Sequence, residues 1–226
     1  MNASAKFVVW DWNGTLQDDL PVSIVGTNIL LDKLGKPRID AETYRTCFDV
    51  PIDRFYRNLG FSEQEIAFSL NEAQDTYFDT YEKLIVDVDF RPGGRSVLDF
   101  VLKAGAFNLI LSNHLTDVIE KDLQRLGKRD AFQHILAWPD RRAQFRTPKG
   151  SLLAAFMDNN GLRPDNGIIV GDTPEEVKVA REFGLVSVAL SGGYSSVAAL
   201  QDMNPDYLVA SLDEVKPILR ERGFAS

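Results

Sequence analysis

The sequence predicts an α/β protein in which a Rossmann-like parallel sheet is flanked by helices. Short apolar segments bounded by loop residues alternate with helical patterns of about 10–15 residues, the order that βαβ units produce. The strand candidates are Phe7–Trp10, Phe107–Ser112, Ile168–Val170 and Val186–Leu190, with Gln133–Trp138 and Tyr207–Val209 as weaker ones. Helical spacing predicts helices over Leu115–Leu126, Ser151–Asn160, Glu175–Phe183 and Leu212–Arg222.

A long section after the first strand candidate breaks this alternation. Up to Asp89 it shows only helical spacing, and Ser62-x-x-Glu65 resembles a capping box that would open one long helix towards Lys83. The segment Arg91-Pro92-Gly93-Gly94 then marks the return to the α/β pattern. We therefore predict an α/β core domain, residues 1–16 and 90–226, and a small α-helical cap domain, residues 17–89.

The composition excludes several classes of function. With 226 residues, 44% of them hydrophobic and 26% charged, the chain has a globular composition and room for a core plus a small accessory domain. A formal net charge of −8 argues against nucleic acid or an anionic membrane as partner, yet it allows a small phosphorylated metabolite at a local cation. One cysteine and two histidines exclude an internal disulfide framework and leave little material for a zinc site.

Targeting signals are not apparent in the sequence. The segment MNASAKFVVW lacks the apolar region of a signal peptide, and no apolar stretch approaches about 18 residues. We therefore expect a cytoplasmic protein. Its oligomeric state has no signature in the sequence.

Reactive side chains stand where predicted strands end or helices begin. They are Asp11, Ser112, Asn113, Lys149 and Asp172. Since the carboxyl ends of parallel strands meet at one edge of a sheet, we expect these groups to lie together. Two carboxylates there repel unless a cation lies between them, and hard oxygen ligands suit Mg²⁺. A hydroxyl, a lysine and backbone N–H groups would suit a phosphate.

This order of groups resembles the four motifs of the haloacid dehalogenase superfamily, and in particular phosphoglycolate phosphatase-like members. The corresponding features are the turn after Asp11, the strand end at Ser112, Lys149 within Thr147-Pro148-Lys149, and the Gly171-Asp172 loop. The helical insert resembles the cap that this family carries after its first motif. The resemblance covers nearly the whole chain.

The resemblance implies Mg²⁺-dependent hydrolysis of a small phosphate monoester. Asp11 would be the nucleophile that forms an aspartyl-phosphate, and Ser112 and Lys149 would hold the phosphoryl oxygens. Trp12 and Asn113 would lie beside the substrate. Mg²⁺ would be held by Asp11, the backbone carbonyl of Asn13 and Asp172, with Thr173 and Glu176 around these ligands. Thr173 and Glu176 equally fit a capping box without any role at a metal.

Asn13 departs from the family pattern, in which a second aspartate stands at this position. That aspartate protonates the leaving oxygen and later deprotonates the attacking water, and a carboxamide does neither. The assistance lost is about 10²–10⁴-fold. We therefore expect slow turnover, or turnover rescued by His114, by Asp18 or Asp19, or by a cap side chain.

Other interpretations stay open. The protein could bind a phosphorylated ligand or partner with impaired catalysis, or could hydrolyse a phosphonate or a carbon–halogen bond. A phosphonate site would need a cap lysine, for which the insert offers Lys33, Lys36 and Lys83. Asn13 could also be an engineered substitution, or deamidation at Asn13-Gly14 could restore a carboxylate. In the insert, Arg45, Arg54 and Arg57 are candidates for reading a second anionic group on the substrate.

Overall fold

A six-stranded parallel sheet in the order β3-β2-β1-β4-β5-β6 forms the centre of the protein. The computed structural model describes residues 5–71, 73–140 and 149–224. The strands are β1 (Phe7–Trp10), β2 (Phe107–Leu115), β3 (Phe132–Trp138), β4 (Gly167–Gly171), β5 (Val186–Leu190) and β6 (Tyr207–Val209). The predicted α/β fold with a Rossmann-like parallel sheet is confirmed.

Helices connect these strands and also form the insert after β1. In the described ranges the α-helices are α1 (Leu20–Lys33), α2 (Ala41–Cys47), α3 (Ile52–Asn58), α4 (Glu63–Asn71), α5 (Gln74–Leu84), α6 (Gly94–Lys103), α7 (Thr116–Arg125), α8 (Gly150–Asn160), α9 (Pro174–Phe183), α10 (Val197–Asp202) and α11 (Val215–Glu221). Short 3₁₀ helices occupy Ile85–Asp87, Arg129–Ala131, Pro164–Asn166 and Leu212–Glu214. Among the described residues, no helix combines the length and the apolar character that a membrane span requires.

Strand β1 lies in the middle of the sheet, between β2 and β4, and is wholly buried. Successive strand residues point to opposite faces, so Val8 and Trp10 join one hydrophobic cluster whereas Phe7 and Val9 join the other. Burial on both faces explains why the segment is a continuous apolar run. The next residue, Asp11, is thereby placed at the carboxyl edge of the sheet.

The helical insert, which we define as α1 to α5, has an apolar cluster of its own. Leu30, Tyr44, Phe55 and Ile66 pack together there. Tyr194, from the loop after β5, belongs to the same cluster. The insert therefore packs directly against a loop at the carboxyl edge of the sheet.

The prediction of one long helix from Ser62 towards Lys83 is wrong, because α4 ends at Asn71 and α5 begins at Gln74. The Ala73 N–H donates to the Phe68 carbonyl at 3.0 Å. A bond of this kind, from residue i back to residue i−5, is typical of the C-terminal end of a helix. The capping box itself is present, since Ser62 N donates to Glu65 Oε2 at 2.7 Å and Glu65 N to Ser62 Oγ at 3.3 Å.

The end of β2 also differs from the prediction. The strand continues past Ser112 to Leu115, with a shift of its register against β3 between Leu111 and Leu115. Asn113 and His114 therefore lie in an irregular extension of the strand rather than in a loop, and α7 begins only at Thr116.

Candidate active site

The turn after β1 holds Asp11 beside β4. Asp11 is buried, with 6% of its surface exposed. Its backbone N–H donates to the Val170 carbonyl at 2.9 Å, which continues the pairing of β1 with β4. Gly14 has a φ of 72°, and a Cβ at this position would lie 2.5 Å from Asp172 Oδ2. Only glycine therefore allows the turn to approach the carboxylate at the end of β4.

Lys149 lies directly before α8 and is 2% exposed. Its Nζ is 2.7 Å from Asp11 Oδ1 and 3.6 Å from Glu175 Oε2, and it also forms an ion pair with Glu176. Pro148, the proline predicted to start this helix, lies outside the described residues. The structure thus brings Lys149 and Asp11 together across the sheet edge, as the order of strands predicts.

Asp172, at the end of β4, is fully buried and accepts hydrogen bonds on both oxygens. Thr15 Oγ1 donates to Oδ1 at 2.5 Å, and the Tyr194 N–H donates to Oδ2 at 2.6 Å. At Gly193 a Cβ would lie only 2.2 Å from Asp172 Oδ2. The loop after β5 therefore needs glycine in order to wrap closely around this carboxylate.

Thr173 and Glu176 form the predicted capping box at the start of α9. The Thr173 N–H donates to Glu176 Oε2 at 3.1 Å, and Thr173 Oγ1 donates to the same oxygen at 2.7 Å. The other oxygen of Glu176 contacts Lys149. Glu176 therefore both caps a helix and helps to hold the buried lysine.

The electrostatic state of the site follows from three carboxylates around one buried lysine, with Asp172 as a further buried carboxylate. Burial raises the pKa of Asp11 well above its usual range, against the attraction of Lys149, and repulsion from Glu176 and Asp172 adds to the rise. Burial also raises the pKa of Asp172 to about 7, with a further contribution from Glu176. Burial alone would lower the pKa of Lys149, but attraction to Asp11, Glu176 and Glu175 outweighs it and raises that pKa.

The three residues at the end of β2 lie along the same edge. Ser112 is buried, and its Oγ accepts a hydrogen bond from the His114 N–H at 3.1 Å. Asn113 Nδ2 donates to Glu175 Oε2 at 2.7 Å, which links it to the carboxylates around Lys149. His114 Nδ1 accepts from the Leu115 N–H at 2.7 Å, and this bond leaves Nε2 as the protonated nitrogen of a neutral ring.

Asn13 lies beside a buried carboxylate, Asp19. Asn13 Nδ2 donates to Asp19 Oδ2 and to the Tyr81 hydroxyl oxygen, each at 2.8 Å. Asp19 is fully buried and also accepts from Tyr81 Oη at 2.6 Å, Tyr194 Oη at 2.8 Å and Gly14 N at 2.7 Å. Burial raises the pKa of Asp19, while the hydrogen bonds from Tyr81, Asn13, Tyr194 and Gly14 oppose the rise.

Several of these neighbours had no assigned place in the site predicted from the sequence. They are Thr15, Tyr81 and Tyr194. The segment Ser191-Gly192-Gly193-Tyr194 directly follows a predicted strand, and its paired glycines were a signal that could have located Tyr194. Tyr81 had no such signal, because it is one aromatic residue on a helix of the insert.

Trp12 and Asp18 differ in their exposure to solvent. The Trp12 side chain is wholly buried in the core, packed edge-on against Phe90 with ring centroids 5.9 Å apart. The indole thus belongs to the hydrophobic core, and a contact between Trp12 and the substrate stays a prediction. Asp18 is exposed, and of the two neighbouring acids only Asp19 contacts Asn13.

Of the cationic side chains predicted in the insert, Arg45 contacts the loop after β5. Its guanidinium donates to the Gly193 carbonyl at 2.9 Å and to the Gly192 carbonyl at 3.1 Å. The other cations named from the sequence either pair within the insert or lie exposed. Arg54 lies 3.8 Å from Asp49, Arg57 pairs with Asp53 and Glu63, Lys33 donates to Thr76, Lys36 pairs with Glu65, and Lys83 is exposed.

No cluster of three or more His, Cys, Asp or Glu side chains arranged for a metal occurs within the described residues. The ligand set predicted from the sequence is smaller, since it combines the carboxylates of Asp11 and Asp172 with one backbone carbonyl.

Comparison with known proteins relates the chain to a family. A family model described as haloacid dehalogenase-like hydrolase matches residues 8–190. A phosphoglycolate phosphatase of Synechococcus elongatus is 27% identical over 221 residues, which cover 95% of this chain and 99% of that protein. A solved haloacid dehalogenase-like hydrolase from Streptococcus pneumoniae superposes with a TM-score of 0.78 at 23% identity, over 96% of this chain and 100% of the other. A solved structure described as a predicted phosphatase from Clostridium acetobutylicum superposes with a TM-score of 0.80 at 20% identity, over 96% of this chain and 99% of the other.

Proposed function

Because the chain belongs to the haloacid dehalogenase-like hydrolase family, we propose that it hydrolyses a small phosphate monoester at the site around Asp11. The observation that carries this proposal is the contact between Asp11 and the buried Lys149, 2.7 Å apart. A nucleophilic carboxylate must be ionised to attack, and the adjacent ammonium group of Lys149 opposes the rise in the pKa of Asp11 that burial causes. The curated relative named above as a phosphoglycolate phosphatase supports this class of substrate.

The proposed chemistry has two steps. An oxygen of Asp11 attacks phosphorus, the bond from phosphorus to the leaving oxygen breaks, and an aspartyl-phosphate forms. Water then attacks the phosphorus of this intermediate and returns Asp11 as a carboxylate, with inorganic phosphate as product. Ser112 and Lys149 lie at the same sheet edge, and we assign to them the binding of the phosphoryl oxygens.

The residues present fit a hard divalent cation such as Mg²⁺. The charge of Asp172 raises the proton affinity of Asp11, and Lys149 faces three carboxylates, those of Asp11, Glu175 and Glu176. Such a local excess of buried negative charge favours a cation, and oxygen ligands suit magnesium. We propose that Asp11, Asp172 and the backbone carbonyl of Asn13 hold it. When bound, Mg²⁺ would offset the charge of the phosphoryl group.

We propose that residues 17–89 act as a cap over this edge. Two contacts of the insert support this assignment. Arg45 donates to the carbonyls of Gly192 and Gly193, and the Tyr44 ring packs on Tyr194 with centroids 5.5 Å apart. The loop that the insert touches is the same loop that donates to Asp172, so closing the cap would exclude water beside a catalytic group.

A second candidate function is binding of a phosphorylated ligand with little turnover. Asn13 supports it, because its amide nitrogen donates to protein groups and the side chain carries no titratable proton. The phosphonate interpretation has less support, since Lys33 and Lys36 contact other residues of the insert and Lys83 is exposed.

The test is Mg²⁺-dependent release of phosphate from 4-nitrophenyl phosphate by the protein and by Asp11→Asn, after mass spectrometry has verified that Asn13 is not deamidated. We expect hydrolysis that stops with EDTA and is absent in Asp11→Asn. Binding of Mg²⁺ followed by calorimetry gives a readout that is independent of turnover. Binding of phosphate and Mg²⁺ without hydrolysis would favour the second candidate, and hydrolysis that survives in Asp11→Asn would refute the first.

A further inference from the structure

Glu175 lies beside the lysine to which we assign the binding of phosphoryl oxygens. It is the second residue of α9, the helix whose capping box begins at Thr173. Its Oε2 lies 3.6 Å from Lys149 Nζ and accepts a hydrogen bond from Asn113 Nδ2 at 2.7 Å. The end of β2 and the start of α9 thus hold this carboxylate at the same sheet edge as the lysine.

The contact of Glu175 with Lys149 differs from the other two contacts of that ammonium group. Asp11 Oδ1 accepts from Lys149 Nζ at 2.7 Å, and Glu176 forms a direct ion pair with it. The separation of 3.6 Å from Glu175 is too long for a hydrogen bond. An ammonium group carries three hydrogens, and Asp11 and Glu176 account for two of them within the described residues. We expect a bound phosphoryl oxygen to accept the third, beside Glu175.

The charge of Glu175 acts on any anion that binds at Lys149. The Lys149 side chain is 3% exposed and that of Glu175 is 19% exposed, so solvent screens their interaction less than at the surface. Attraction to Glu175 is one of the causes that raise the pKa of Lys149, which shows that this carboxylate stabilises the ammonium group. The same negative charge repels a phosphate that approaches the ammonium group.

On the premise of the phosphatase activity proposed above, we propose that Glu175 competes with phosphoryl groups for Lys149 and thereby limits how tightly the site holds phosphate. Each turnover would end with an inorganic phosphate anion beside a buried lysine. A carboxylate that takes over the attraction of the lysine favours departure of that anion. Asn113 keeps the carboxylate in place, because rotation of Glu175 towards solvent would break the bond between them.

Glutamine at residue 175 isolates the effect of the charge. In Glu175→Gln the side-chain carbonyl can still accept the hydrogen bond that the carboxylate accepts now. Lys149 keeps its two closer carboxylates and therefore stays protonated. The matched control is Glu182→Gln, which removes one negative charge from an exposed position on the same helix, α9.

The experiment measures binding of inorganic phosphate by calorimetry in saturating Mg²⁺, on the unchanged protein, Glu175→Gln and Glu182→Gln. We expect Glu175→Gln to bind phosphate about 10-fold more tightly or better, because the removed charge lies within a few ångströms of the ligand and is partly shielded from water. Glu182→Gln should bind phosphate as the unchanged protein does. With 4-nitrophenyl phosphate as substrate, KM and the inhibition constant of phosphate should fall together in Glu175→Gln while kcat does not rise, a split that damage to the fold would not produce.

The outcomes separate this inference from the proposed function. If Glu175→Gln binds phosphate no more tightly than the unchanged protein, the competition is refuted, and Mg²⁺-dependent hydrolysis by the unchanged protein still supports the phosphatase. If the unchanged protein neither binds phosphate nor hydrolyses the ester, the proposed function fails and the competition fails with it. Glu175→Ala removes the same charge and should also tighten phosphate binding, so a glutamine variant that does not fold leaves a second test.

Discussion

Replacing Asp172 by asparagine should make the metal-free protein more stable at neutral pH. Asp172 is fully buried with two hydrogen-bond donors, Thr15 Oγ1 and the Tyr194 N–H. An asparagine of the same shape can keep its carbonyl towards Tyr194 N while its amide faces Thr15, whose hydroxyl can rotate to accept. The substitution therefore removes a buried charge and leaves the local contacts in place.

The magnitude follows from the pKa of Asp172, which rises from 3.8 to about 7 on folding because of burial. A carboxyl whose pKa is raised in the folded state holds its proton more tightly there than in the unfolded chain. Its contribution to stability is complete below pH 3.8 and is lost as the pH rises to about 7. At 1.36 kcal/mol for each tenfold change in proton affinity, the loss is about 4 kcal/mol.

The assay is urea unfolding in EDTA between pH 4 and pH 8, on the unchanged protein and on Asp172→Asn. We expect the free energy of unfolding of the unchanged protein to fall by about 4 kcal/mol more than that of the variant over this range. Adding Mg²⁺ at neutral pH should recover stability in the unchanged protein and much less in Asp172→Asn, since a ligand stabilises the state that binds it. Parallel pH profiles of the two proteins in EDTA would refute the reasoning.

The other predictions concern two cations. Lys149→Met should lower the free energy of unfolding by about 3–5 kcal/mol, because it leaves buried carboxylates unpaired, and it should move the acid limb of kcat/KM to higher pH because it removes the attraction that opposes protonation of Asp11. Lys178→Met, at an exposed residue of α9, is its control in urea unfolding, and an equal loss of unfolding free energy in both variants would contradict the prediction. Arg45→Met should raise KM more than it lowers kcat, since it removes a contact between the insert and the loop after β5. Arg54→Met, an exposed arginine of the insert, should leave KM unchanged in the same steady-state assay, and no difference between the two arginine variants would refute a closing role.

Most of the fold was predictable because buried parallel strands leave a strong local pattern. Phe7–Trp10 and Val186–Leu190 have the predicted bounds, and the turn signals around them mark where each strand ends. The break between α4 and α5 was not predictable from helical spacing. Ala73 is buried while its N–H closes the end of α4, and this tertiary packing stops the helix within a sequence of suitable period.

The grouping of Asp11, Lys149 and Asp172 could be predicted for a geometric reason. Residues at the carboxyl ends of neighbouring parallel strands converge whatever the intervening sequence, so the position of each strand end was sufficient. The same reasoning does not predict that the Trp12 indole lies in the core, because the side-chain direction of one residue in a tight turn depends on dihedral angles that the strand pattern does not encode. His114 remains a predicted substitute acid without a test, and its Nδ1 is engaged by the Leu115 N–H.

By itself the sequence determined the sheet, its edge, and the fact that residue 13 is a carboxamide. What surrounds that carboxamide was decided only by the tertiary structure. Tyr81 lies 68 residues from Asn13, and Tyr194 lies 175 residues from Asp19, yet their hydroxyls meet at one buried carboxylate. Hydrogen bonds depend on separations of a few tenths of an ångström between atoms far apart along the chain. Local sequence patterns carry no such information, so packing of the insert against the sheet decides how Asn13 is held.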